Sequence, residues 1–302
     1  MSFLSISIVG AGKLGGALAI ALSRKGYKIR QLVSRDFEKA NKIANLIDSS
    51  PRILNENQLE KVDSDVVLIT VQDSEIRSVS DNLAERLDHL PFVFHTSGAI
   101  SSKELFRLSD EGCDVASLHP LISVSDPVVG ANKFKGAYFC LEGDSEAVST
   151  GRQIVSDLEG NSFSILTKNK TLYHAAAVTA CGHLVALIST AIEMLSHCGL
   201  EPEIAKTILL PLIKSTVDNL EKQTPAGALT GTFARADFGT MQKHLAAIHE
   251  MESEEINKIY SHLGLRSLKL AEAQGANPEK LKLMQEILEK ELLEKAFLQS
   301  SI

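Results

Sequence analysis

Cysteine is sparse in this 302-residue chain. Cys113, Cys140, Cys181 and Cys198 are the only four, they lie far apart, and no two form a CxxC pair. That spacing excludes a disulfide frame and a zinc ribbon and fits reduced thiols in a cytosolic protein. Basic runs are also missing. The formal net charge is -7 and the lysines and arginines are scattered, so nothing resembles an arm that tracks a phosphate backbone, and nucleic acid is not an expected partner. Long apolar runs are scarce too. No basic segment precedes Phe3, and Lys13 with its neighbouring glycines interrupts the first apolar stretch, which argues against a secretory signal. No stretch reads as long enough to span a bilayer. The expectation is a soluble, cytoplasmic protein that engages no membrane. No short ligand motif joins His174, His244 and Asp237, so no metal is expected. Internal repeats and low-complexity linkers are absent.

What is present suffices for a sizeable core: 44% of the residues are hydrophobic, and the length allows two domains. Ser5 to Val9 reads as a short buried strand, Lys13 to Arg24 as a helix stopped by Gly26, and Lys28 to Ser34 as a second strand. Phe37 to Leu46 reads as a helix. Further strands are expected at Asp65 to Val71, at Phe92 to Ser97, in "DVASLHPL", in "GAYFCLEG" and at Asn161 to Thr167. Strands alternating with helices predict a doubly wound, mostly parallel α/β sheet. After Thr167 no strand pattern remains. Leu172 to Cys198 reads as one long apolar helix. Glu201 to Lys222 reads as a second, bent at Pro211 because proline donates no backbone hydrogen bond. Two more helices follow, and Pro278 opens a last one reaching about Gln299. The expected domains are therefore 1–167 and 168–302, the second all-α.

The stretch "GAGKLGG" carries the first chemistry. Gly10, Gly12 and Gly15 form G-x-G-x-x-G after a strand and at the opening of a helix, with Ala11, Lys13 and Leu14 between them. In that context the motif reads as a pyrophosphate-binding turn. The first glycine allows the sharp turn, the second lets phosphate approach the backbone, and the third lets helix and strand pack closely. The helix start supplies free N–H groups. The second strand ends in Ser34-Arg35, where an NAD-binding chain usually places an acidic residue. A hydroxyl and a guanidinium suit the 2′-phosphate of NADP, with Lys39 one helical turn on. Asp36 keeps NAD open as the less favoured cofactor. Val71, Gln72 and Asp73 follow the third buried strand and would line the cofactor side; Asp73 equally suits a helix cap. Thr96, Ser97 and Gly98 are small enough to admit a nicotinamide ring. His95 reads as a core histidine or a catalytic one.

These features resemble pyrroline-5-carboxylate reductase, the deazaflavin-dependent NADP reductases and the hydroxyacid dehydrogenases allied to 6-phosphogluconate dehydrogenase. The sequence is similar over nearly its whole length to a bacterial family of Rossmann-like proteins without a settled reaction. The likeness is carried by His95 to Gly98, Leu118 to Pro120, Tyr173 to Val178, Ala228 to Thr232, Ala234 to Asp237 and His244-Leu245. It implies a Rossmann domain followed by a helical domain of the 6-phosphogluconate dehydrogenase-like type, and a dehydrogenase-type site. Three positions depart from the pattern: Gly182 stands where the family has Asn, Thr232 where it has Pro, and Ala236 where it has Gly.

In the related dehydrogenases a lysine near the start of the long helix acts as proton donor beside the nicotinamide. Lys170 is the positional match, with Lys168 a competitor. Lys170, His174, Val178 and Cys181 share a helix face by spacing. Farther on, Thr230 to Ala236 reads as a loop bent at Gly231. Asp237 is placed to cap a helix carrying Thr240 and His244. Arg235 is suited to a substrate carboxylate or to an internal pair with Asp237. "SLHP" reads as a rigid turn from which His119 contacts substrate. The expected function is NADP-dependent hydride transfer to or from a small carbonyl or imine, with an NADP-binding sensor or scaffold as the rival. A homodimer is expected through an apolar stripe on the last helix, formed by Leu281, Met284, Leu288 and Leu292.

Overall fold

The computed structural model describes residues 4–293. Eight strands form one sheet: β1 (Ser5–Val9), β2 (Lys28–Val33), β3 (Arg52–Leu54), β4 (Val66–Ile69), β5 (Phe92–His95), β6 (Val115–Pro120), β7 (Tyr138–Gly143) and β8 (Asn161–Ser164), in the order β3-β2-β1-β4-β5-β6-β7-β8. Neighbours pair in parallel except β6 and β7, which are antiparallel. Six helices, α1 (Lys13–Arg24), α2 (Phe37–Ala44), α3 (Ile76–Arg86), α4 (Phe106–Asp110), α5 (Pro127–Ala131) and α6 (Ser145–Asp157), alternate with the strands. Then come α7 (Lys170–His197), α8 (Pro202–Lys222), α9 (Pro225–Ala228), α10 (Gly231–Ala234), α11 (Phe238–Glu250), α12 (Glu254–Ala273) and α13 (Pro278–Leu293).

The central strands β4 and β5 are almost wholly apolar because both faces of the sheet are covered there, while the edge strand β8 (Asn161–Ser164) is polar and largely exposed. Along β4, Val66 and Leu68 enter one core with Ile6, Ile8 and Phe94, while Val67 and Ile69 enter the other with Val9, Val33 and Val93. The period-two alternation of side chains divides one apolar run between two cores. Strand β3, too short to show a pattern, was not foreseen.

The chain divides into two compact units, Met1–His183 and Leu184–Ile302, so the division falls inside α7 and not at Thr167. The first turns of α7 belong to the sheet unit because Lys170 and Tyr173 are bound to strand residues there. Three further expectations are corrected. "SLHP" is strand, not turn: Leu118, His119 and Pro120 pair with Leu141, Cys140 and Phe139. The 230–236 segment is not all loop, since Gly231–Ala234 makes a helical turn, although Gly231 does bend the chain with φ 83°. Finally, Thr167–His197 is long and apolar enough to cross a membrane by length and composition alone, and its apolar window is unburied in this chain. Helix α8 continues through Pro211.

In the second unit the core gathers Met241, Leu245, Leu268, Ala271, Leu281, Met284 and Leu288. The stripe on α13 is therefore this unit's own core face, and Leu281, Met284 and Leu288 are not free to form a dimer seam. The end of the last predicted helix, beyond Leu293, lies outside the described residues.

Candidate functional site

The glycine turn follows β1 directly, and its three glycines meet three different demands. Gly10 has φ 108°, and a side chain there would lie 2.9 Å from the Thr70 carbonyl. A Cβ on Gly15 would fall inside the contact radii of the Gly10 carbonyl oxygen and the Thr70 hydroxyl. Gly12 differs: nothing lies within 4 Å of where its Cβ would be. The turn is thus closed toward β4, where Thr70 Oγ1 donates to the Gly10 carbonyl at 2.6 Å, and open over Gly12 at the start of α1. Ala11 is buried, while Lys13 is exposed and Leu14 partly so. That cradle fits a pyrophosphate: the backbone is bare where a ligand would approach, and the first N–H groups of a 12-residue helix face it.

At the end of β2, Ser34 Oγ makes 3.1 Å contacts to the backbone N–H and carbonyl of Asp36. Asp36 caps α2 by accepting from the Lys39 N–H at 3.0 Å, and its carboxylate also pairs with Lys39 Nζ at 2.9 Å. Arg35 donates to both carboxylate oxygens of Glu75. Val71 and Gln72 lead from β4 into a 3-10 turn at Asp73–Glu75. Asp73 caps no helix; its carboxylate accepts from Ser97 Oγ at 2.8 Å. Ser97 Oγ in turn accepts from the N–H groups of Ala99 and Ile100, which fixes the turn that follows β5. Thr96 and Gly98 in that turn are buried.

Gly98 lies against a group of titratable side chains. A Cβ there would collide with His174 Nδ1 and lie 2.8 Å from His119 Nε2. His119 Nδ1 is 2.7 Å from the Tyr173 hydroxyl, and the His119 and His174 rings meet edge to face at 5.6 Å. Buried His174 Nδ1 has no hydrogen-bond partner. Burial, with the nearby Lys170 ammonium as a second cause, pushes His119 down to about 4. The same two causes hold His95 at about 4. His95 is fully buried and its Nδ1 accepts from the Ser97 N–H at 3.2 Å, which makes it a core histidine that orders the turn.

Lys170 lies at the centre of this region. It is 2% exposed, donates to the Ser117 hydroxyl, and lies 3.5 Å from a Glu142 carboxylate oxygen. Glu142 also accepts from the N–H and hydroxyl of Ser102, at 2.8 and 2.9 Å, and from Thr167 Oγ1 at 3.2 Å. Burial lowers the Lys170 pKa, and Glu142 opposes that shift. The lysine expected to hand a proton to substrate is thus held between a carboxylate and a strand hydroxyl. Ser117 and Glu142 were not foreseen. The only trace of Glu142 in the sequence is a carboxylate inside the otherwise apolar run "YFCLEG".

Residues 1–120 match the model of a Rossmann-like domain, and residues 137–267 match a domain of unknown function, DUF2520. The chain is a Rossmann-like domain followed by a DUF2520 domain. The DUF2520 match starts before β7, so it takes in the reversed strand, β8, Glu142 and Lys170, and the buried ion pair lies inside it. No curated protein matches the sequence. Among solved structures, a proposed NADP oxidoreductase from Bacteroides fragilis superposes with TM-score 0.70 at 23% identity, over 89% of this chain and 99% of that one. Pyrroline carboxylate reductase from Plasmodium falciparum, solved with NADP bound, gives 0.57 at 15%, over 94% and 99%. Prephenate dehydrogenase from A. aeolicus, solved with hydroxyphenyl propionate and NAD+, gives 0.53 at 18%, over 89% and 99%. At these identities the likeness is one of fold.

The remaining expected site residues lie in the later part of the DUF2520 domain, within the second compact unit. Asp237 does cap α11, accepting from the Thr240 N–H at 3.0 Å and the Thr240 hydroxyl at 2.8 Å. His244 is exposed, with Nδ1 2.8 Å from the Tyr260 hydroxyl. Arg235 is exposed, and its charge adds to the Thr240 hydrogen bonds in holding the Asp237 carboxyl low. Ala236 is 1% exposed with φ 48°, a backbone region in which glycine is at ease and alanine is not. Gly182 has only Val178 near the position of a Cβ, at 3.7 Å, so the space would admit a side chain. Thr232 lies in α10. Among the described residues no group of His, Cys, Asp and Glu is placed to hold a metal.

Proposed function

We propose that this protein is a nicotinamide-dinucleotide-dependent oxidoreductase that prefers NADP and acts on a small carbonyl or imine. The observation that carries the reading is the glycine turn, closed at Gly10 and Gly15 and open at Gly12. Gly10 to Gly15 would hold the pyrophosphate, Ser34 and Arg35 the 2′-phosphate, and Val71, Gln72, Asp73 and Thr96 to Gly98 the wall toward the nicotinamide. When bound, that ring supplies or accepts a hydride. A carbonyl receiving a hydride also needs a proton, and His174 is the group this chain offers for it: its Nδ1 is unpartnered and lies against Gly98. His119 and Tyr173 hold its surroundings, and Lys170 with Glu142 fixes the strand ends beneath.

Titration with NADPH and NADH tests the cofactor half, and absence of binding by either overturns it. NADPH oxidation against a panel of carbonyls and imines tests the chemistry. His174→Ala should keep NADPH binding and lose about 100-fold or more in turnover. Binding with no turnover on any substrate would favour the sensor reading.

The same reading includes a cytoplasmic homodimer, with its surface on α7 and α8 in place of α13. Val185, Leu187, Leu212 and Leu220, all within the second unit, are exposed there. Lys206, Lys214 and Asp218 along α8 suit a second copy of this chain better than lipid. Light scattering should show a dimer at micromolar concentration; a monomer overturns this part.

A further inference from the structure

Arg35 is already occupied by anions of its own chain. Its Nη1 and Nη2 donate to the two carboxylate oxygens of Glu75 at 2.7 and 3.1 Å, and its Nε lies 3.2 Å from a carboxylate oxygen of Glu56. This is the two-pronged geometry by which a guanidinium recognises a phosphate, so Glu75 fills the fork that a 2′-phosphate would use. The other nearby cation, Lys39, is paired with Asp36. Two cations therefore stand among three carboxylates, and an arriving phosphate meets a negative balance until one carboxylate gives way. Glu75 is also delivered by the main chain: it closes the turn Asp73–Glu75, whose other end is held by Ser97.

We propose that Glu75 is a specificity-determining residue of the cofactor site. In the free protein it occupies Arg35, a dinucleotide bearing a 2′-phosphate must displace it, and it thereby narrows the preference for NADPH over NADH. The inference rests on the cofactor reading above and concerns how strongly one dinucleotide is chosen over the other. Arg35 is well exposed, at 63% of its side chain, so solvent screens the pair and the effect is modest.

The test is a calorimetric titration of NADPH and NADH against the wild type, Glu75→Gln, Arg35→Ala and the double variant. Glu75→Gln should tighten NADPH by about threefold to fivefold and leave NADH unchanged. Glu56→Gln, which removes a single contact, should give a smaller gain of the same sign. In the Arg35→Ala background the Glu75 substitution should do nothing, because there is no guanidinium to release. Unchanged NADPH affinity in Glu75→Gln overturns the inference. So does a gain that persists without Arg35, which would mark plain repulsion of the phosphate. If the wild type binds NADH and only these arms fail, the cofactor reading survives; if it binds neither dinucleotide, both fall.

Discussion

The glycine turn takes its ligand-facing backbone from one short stretch of sequence. Gly10, Gly12 and Gly15 sit within six consecutive positions; Thr70 comes from elsewhere to press on Gly10 and Gly15, and Gly12 stays open. The Lys170 cluster is assembled from distant segments: Lys170 bonds Ser117 from 53 positions away, Glu142 is held by Ser102 from 40, and Tyr173 reaches His119 across 54. The first site faces open space and its polar groups are backbone, while the second is closed and its polar groups are charged side chains satisfied by one another. An open site tolerates solvent at its edges. A closed one holds only while every partner is present, because an unpaired buried charge is expensive.

That contrast is sharpest in Lys170→Met. It strips a buried carboxylate of its ammonium while leaving the donors Ser102 and Thr167, so the loss should fall at the low end for a broken buried pair, about 3 kcal/mol, by urea unfolding. NADPH affinity of the folded variant should be unchanged. A variant as stable as the wild type, or one that stays folded but loses NADPH, erases the distinction between the two sites.

The closed site should also respond to pH where the open one does not. His95 titrates near 6.5 when unfolded and at about 4 when folded, so the unfolded chain binds the proton more tightly. Stability is complete above about 6.5 and is lost as pH falls toward about 4, on the order of 3 kcal/mol from this residue. His119 acts in the same direction. Carboxylates held low by hydrogen bonds, such as Asp65 and Asp237, withdraw stability only at still lower pH. Denaturant midpoints at pH 7 and pH 5 decide this, and equal midpoints contradict it.

Arg35→Ala addresses the open site. It should weaken NADPH by about tenfold, the lower bound for a charge-assisted hydrogen bond, because Glu75 already offsets part of the charge. NADH should not change; equal losses for both dinucleotides would place Arg35 outside 2′-phosphate recognition. The smallest effect belongs to the second unit. Asp237→Ala removes a helix cap and should cost about 1 kcal/mol with no change in dinucleotide binding; a loss of binding would give Asp237 a role beyond its helix.

The glycine motif at the start of α1 and the cap at Asp237 were legible because each is a short sequence pattern at a helix start. Of the two roles open to Asp73, the helix cap is not the one it takes, and its partner, Ser97, was out of sequence reach because it comes from the next strand. The stripe on α13 was read correctly as apolar and wrongly as a seam, since periodicity shows that a face must be covered and does not show by what. "SLHP" was misread as a turn, yet Pro120 fits at the end of a strand, where its missing N–H costs little.

By itself, then, the sequence determined the alternation of strands and helices, the glycine turn between β1 and α1 and the change to helix after Thr167, because backbone sterics and hydrophobic periodicity act over a few residues. The tertiary structure decided what Lys170, His119 and Arg35 touch. The reversal of β7 against β6 brings Glu142 within reach of Lys170, and the path from β4 into its 3-10 turn brings Glu75 to Arg35. Charge interactions depend on distance through space, and that distance is set only when the sheet closes.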